Sequence, residues 1–66
     1  EQGLAARELR EAVAGLPESQ RTAFRLAKLE ELALAEASRR SGLSVGALKV
    51  ATHRALATLR RRLGGA

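Results

Sequence analysis

Residues 34–56 read LAEASRRSGLSVGALKVATHRAL, and they settle the architecture of the chain. A short helical run ends at Ser41. Gly42 then supplies a residue that tolerates a left-handed backbone, and Ser44 is placed to cap the next helix through its hydroxyl. From Val45 onward the apolar spacing is helical again, and this second helix is basic. Two helices joined by so tight a turn are the signature of a helix-turn-helix, whose second helix as a rule enters the DNA major groove.

On the C-terminal side, the basic helix runs from Val45 to about Leu63 and is the longest; Gly64, Gly65 and Ala66 end it and are expected to fray. The helix before the turn spans about Leu34 to Ser41. Ala33 holds its N-cap place and offers no capping oxygen, so Glu36 is expected to reach back to a free backbone N–H, as half of a capping box. Further upstream, Pro17 suits the first turn of a helix and Glu18 complements its dipole. That helix turns Ala23, Phe24, Leu26 and Ala27 inward and stops near Glu30, with Leu32 plugging the core behind it. An N-terminal helix repeats Leu9, Val13 and Leu16 at i, i+4 and i+7, and Gly15 weakens its end. No strand pattern, repeat or low-complexity linker interrupts this order. The expected fold class is all-α, a compact four-helix domain containing a helix-turn-helix, with residues 1–66 forming one domain.

Composition narrows the function. A chain of 66 residues buries only about 60% of its unfolded surface, and without cysteine neither a disulfide nor a thiolate metal site can reinforce it. One phenylalanine and no tryptophan or tyrosine leave a core of leucine, valine and alanine and no platform for stacking single-stranded bases. No apolar run approaches the roughly 20 residues that span a bilayer, and no signal peptide is visible. Because the chain starts at Glu1 without an initiator methionine, the expectation is a domain excised from a longer cytoplasmic protein, with no membrane partner. Nucleophile–base pairs, paired buried carboxylates and glycine-rich phosphate loops are all missing, so neither enzyme activity, nor a cofactor, nor a small-molecule ligand is expected. His53 has no Asp, Cys or second His at ligand spacing, which argues against a metal site and for a solvated or phosphate-facing ring.

Charge points to a polyanion. Residues 1–35 hold five cations against six anions, a net of −1; residues 36–66 hold seven cations against Glu36 alone, a net of +6. On the fourth helix, Val45, Leu48, Thr52, Leu56, Leu59 and Leu63 fall on one stripe with Ala55 beside it, and that stripe is expected to pack inward. The opposite face carries Gly46, Ala47, Val50, Arg54, Ala57 and Arg61. Lys49, His53 and Arg60 form one flank; Ala51, Thr58 and Arg62 form the other. The DNA-binding set read from this pattern is Ser44, Gly46, Ala47, Lys49, Val50, His53 and Arg54. Gly46, Ala47 and Val50 make a small tip that lets the backbone approach and can meet a thymine methyl group, but the first turn lacks a bidentate Arg, Asn or Gln. Arg54 is the candidate for a base or phosphate contact, while Lys49 and His53 read as phosphate partners that position without specifying sequence. Arg60, Arg61 and Arg62 read equally as cations favoured at a helix C-terminus and as DNA contacts.

Taken together, LPESQRTAFRLAKLEELALAEASRRSGLSVGALKVATHRALATLRRRL (residues 16–63) resembles the C-terminal domain, region 4, of bacterial extracytoplasmic-function sigma factors. The pieces that carry the resemblance are Leu16-Pro17, Gln20-Arg21, Phe24, Ala35-Glu36-Ala37, the run Gly42 to Ala47, and His53-Arg54-Ala55-Leu56 before Leu59-Arg60; it extends over residues 9–63. The resemblance implies recognition of the upstream (minus-35) promoter element on double-stranded DNA, attachment to RNA polymerase core through the flap of its β subunit, and an anti-sigma factor as a further partner. Four positions depart from the family pattern. Ala37 and Ser38 replace a branched residue and an alanine, which should loosen the third helix. Glu31 stands where glycine commonly ends the second helix, so a strained or altered cap is expected. Ala51 stands where many relatives carry arginine, which should weaken phosphate binding. Two rival readings remain: a sigma-like module that binds an anti-sigma factor without reading DNA, favoured by Ala51 and the small tip, and a response-regulator helix-turn-helix domain. The +6 half opposes the first; Leu16-Pro17 and His53 to Leu56 oppose the second.

Overall fold

In the computed structural model, which describes residues 2–64 and the side chains of residues 6–64, the chain is a succession of four helices. Helix α1 spans Gln2–Ala14; α2 spans Glu18–Phe24 and continues as a π-helical turn, Arg25–Leu29; α3 spans Leu34–Ser41; α4 spans Val45–Leu59 and continues as a π-helical turn, Arg60–Gly64. Gly65 and Ala66, expected to fray, lie outside the described residues.

Pro17 stands one residue earlier than expected, at the N-cap of α2 with ψ 153°, and its carbonyl accepts the first helical bond from Arg21 N at 2.8 Å. The wide turn that ends α2 is closed by Glu30 N donating to Arg25 O (2.9 Å) and Leu32 N donating to Leu26 O (3.0 Å). Between them Glu31 adopts φ +54°, a left-handed conformation that costs an L-residue about 1–2 kcal/mol and that glycine adopts freely. The strained cap expected at Glu31 is therefore present.

The turn between α3 and α4 is tied by serines. Gly42 has φ +78° and donates its N–H to Ser38 O at 3.0 Å. Leu43, the next residue, has both backbone groups taken: its N–H donates to Ser41 Oγ (3.0 Å) and its carbonyl accepts from Ser38 Oγ (2.6 Å). Ser38 thus tightens the turn rather than loosening α3. Ala37 is likewise fully enclosed. Glu36 does not reach back to the helix start: Ala33 makes no side-chain cap, and the Glu36 carboxylate turns forward to accept from Arg39 and, at 3.1 Å, from Arg40 Nε. Two cations in the last turn of a helix offer the carboxylate more than one exposed N–H does.

Two apolar clusters hold the helices together. Ala12, Leu16, Phe24, Ala55 and Leu59 form one, flanked by Leu9, Val13 and Leu56; Ala23, Leu26, Ala37, Leu48 and Ala51 form the other, flanked by Leu32 and Leu43. Helices α2 and α4 contribute to both, so they are the frame on which α1 and α3 rest. Ala27 is only half-buried. The inward seam of α4 is Leu48, Ala51, Ala55 and Leu59, whereas Val45 and Leu63 of the expected stripe are 39% and 44% exposed. Relative to the expected stripe the helix is turned by roughly 50°. The cause is steric: three alanines, at 23, 37 and 51, let α2, α3 and α4 approach more closely than a leucine stripe would allow.

Candidate nucleic-acid interface

Helix α4 begins sharply. Ser44, in extended backbone at φ −65° and ψ 161°, accepts Ala47 N on its Oγ at 3.1 Å, and its carbonyl accepts Leu48 N at 2.8 Å. The hydroxyl is committed to the cap, which leaves the N–H groups of Val45 and Gly46 facing outward as free donors. Because the core takes Leu48, Ala51, Ala55 and Leu59, the line pointing away from it passes through Gly46, Val50 and His53. All seven residues read from the sequence, Ser44, Gly46, Ala47, Lys49, Val50, His53 and Arg54, are exposed; Val50 is 50% exposed.

The seven do not form one patch. Gly46, Ala47, Val50 and Arg54 line a cleft of about 360 Å³ together with Ser19 and Gln20 from the start of α2. Lys49 and His53 line another, of about 390 Å³, together with Lys28 and Leu34. Lys49 and Arg54 lie about 140° apart around the helix, so their cations stand on opposite flanks of the small ridge formed by Gly46 and Val50. A helix seated in a groove about 12 Å wide meets both walls with such an arrangement.

Ser19, Gln20 and Lys28 are additions to the site. Gln20-Arg21 marks the family resemblance, but nothing in the periodicity of α2 reveals that its first turn borders α4. Lys28 is visible in the sequence only as one of five cations in the half whose net charge is −1. Ala51 lies closer to the core than expected: it is 8% exposed and packs in the core cluster between helices, at the edge of the cleft that Arg54 lines.

Electrostatically, α4 is free to meet a polyanion. No acidic residue occurs after Glu36, and among the described residues Lys49, His53 and Arg54 form no salt bridge. The cations of α3 differ. Arg39 first, and then Arg40, hydrogen-bond the Glu36 carboxylate and hold its pKa below the ordinary value. Two of the C-terminal arginines also turn to the protein. Arg61 Nη2 donates to Thr58 Oγ1 at 3.4 Å, and Arg62 lies against Gly15 so closely that a Cβ there would stand 2.8 Å from its Nη1. Arg62 also borders Glu8 and Glu11 of α1, which favours the structural reading for these two residues. Arg60 is exposed. Among the described residues no helix is long and apolar enough to cross a membrane.

Comparison with known proteins agrees with this geometry. The family model described as sigma-70, region 4, matches residues 6–59. The chain is 52% identical over 56 residues to the ECF RNA polymerase sigma factor SigF of Caulobacter vibrioides (strain NA1000 / CB15N), which covers 85% of this chain and 31% of that protein. It therefore spans about a third of the length of that relative. No solved structure matches. With a basic helix-turn-helix, a family match over most of its length and this relative, the chain belongs to the sigma-70 region 4 family.

Proposed function

We propose that this chain reads the minus-35 element of promoters for RNA polymerase, as a domain of a sigma factor acting in the cytoplasm. The observation that carries the reading is the outward face of α4: a small ridge flanked by unpaired cations, in a chain of the sigma-70 region 4 family. In this reading α4 lies in the major groove. Arg54 reaches a base or a phosphate on one flank; Lys49, His53 and Lys28 meet phosphates on the other; Gly46, Ala47 and Val50 allow close approach to base edges. Ser44 shapes the helix start.

A furrow between α1 and α2 supports a protein partner on another side. Leu9, Val13 and Leu29 line it, with Leu29 54% exposed, and Arg10, Arg21 and Arg25 border it. We assign this furrow to polymerase core, through the β flap, or to an anti-sigma factor that competes for it. The rival of a sigma-like module that ignores DNA is opposed by the unpaired cations on the exposed face of α4.

Substitution separates the roles. Arg54→Ala should cost about 1–3 kcal/mol on a preferred duplex and little on a scrambled one, whereas Lys49→Ala should weaken both alike. Equal losses on both duplexes for both variants would remove Arg54 from base reading.

A further inference from the structure

Gln20 presents an anomaly. It is half-buried in the first turn of α2, and its side-chain carbonyl oxygen has no exposed surface and no hydrogen-bond partner among the described residues. A buried amide oxygen left unpaired is costly, so a partner that arrives on binding would recover that cost. Gln20 borders the cleft shared with Gly46, Ala47, Val50 and Arg54. Of the α4 side chains in that cleft, Arg54 alone carries a hydrogen-bond donor, and no carboxylate holds it among the described residues. A residue with an unclaimed acceptor and one with an unclaimed cationic donor therefore border one cleft.

We propose that Gln20 is the positioning residue for Arg54. When α4 enters the groove, the Gln20 amide turns its occluded oxygen, which has no bond to break, into the cleft. The Arg54 guanidinium turns in, donates one N–H to Gln20 Oε1, and directs its remaining donors at the DNA. A guanidinium with one edge anchored loses less freedom on meeting a base than one swinging on a free side chain. Sequence preference in this chain therefore depends on α2 as well as on the recognition helix. The proposal rests on the reading of α4 as the DNA-facing helix.

The test is a double-substitution cycle on two duplexes: the one that the wild-type chain enriches from a random pool, and a scrambled duplex of equal composition. Gln20→Leu should reduce the ratio of specific to scrambled affinity about tenfold, the worth of one hydrogen bond to a charged group. Gln20→Glu, which keeps an acceptor for the guanidinium, should retain most of the ratio. Adding Arg54→Ala to Gln20→Leu should cause little further loss, because the two act as one unit. A merely structural role would lower the melting temperature and weaken both duplexes together; here the melting temperature of Gln20→Leu should not fall, since an orphaned oxygen is removed. Should the leucine variant not fold, Gln20→Met is measured in the same cycle. If Arg54→Ala abolishes the preference while the folded Gln20 variant keeps it, the positioning role is overturned and the promoter reading stands. If Arg54→Ala leaves the preference intact, Arg54 reads no base and this inference falls while the promoter reading stands. If the wild-type chain enriches nothing, the reading fails and this inference goes with it.

Discussion

Ala51 illustrates how one small side chain sets the face of a helix. Packed with Ala23 and Ala37, it brings α2, α3 and α4 together and orients α4 so that Gly46, Val50 and His53 point outward. Ala51→Arg should therefore destabilise the chain by about 2 kcal/mol or more in a urea titration, through overpacking and burial of a charge. Retained stability with tighter DNA binding would instead place position 51 on the interface. Glu31 has the opposite problem, a long side chain in a backbone conformation that favours glycine. Glu31→Gly should stabilise the fold by roughly 0.5–1 kcal/mol, because the strain of the left-handed residue is relieved and only part of the gain is lost to glycine's freedom in the unfolded chain. An unchanged or lower melting temperature would mean that the wide turn, and not the residue, carries the strain.

Among the elements, α3 depends most on charge. Ala33 leaves its start uncapped, and Glu36 binds Arg39 and Arg40 one turn on. Because this pairing depresses the Glu36 pKa, its contribution is fully present above the unfolded-state value and is lost as pH falls through the folded-state value. Thermal melts should show an acid-side loss in the wild type that Glu36→Gln lacks, and the difference should shrink in high salt. Identical acid limbs for the two proteins would show that the pairing contributes nothing to the fold. The helices themselves are legible in the sequence because their stops are chemical: Pro17, Gly42 and Ser44 each act through their own backbone preference or side chain. The inward face of α4 is less legible. Leucines and a valine at 45, 48, 56, 59 and 63, with Thr52 among them, outline a stripe, but in an alanine-rich helix the methyl groups of Ala51 and Ala55 pack as well. Only the neighbouring helices decide between the two. The direction of Glu36 is hidden for a related reason, since one side chain has two sets of partners within range.

Across the whole molecule, composition and function divide along the chain. The first half, with a net of −1, supplies α1, α2 and the furrow around Leu29; the second, with a net of +6, supplies α4. The candidate site crosses that division. Its α4 members can be read from the sequence because a helix face follows from spacing alone. Ser19, Gln20 and Lys28 cannot, because they reach the interface through the packing of α2 on α4. In the proposed reading four groups face the polyanion: Lys28, Lys49 and Arg54 as fixed cations, with His53 beside Lys49. Whether this face reads promoter DNA is decided by enriching duplexes from a random pool with this chain and then titrating the recovered duplex with salt. The expected result is one shared element and a log–log salt slope of about −3, as for about three phosphate contacts, which becomes shallower by about one unit in Lys28→Ala or Lys49→Ala. No shared element, with a slope indifferent to both substitutions, would contradict promoter reading and place the function of the domain in the furrow between α1 and α2.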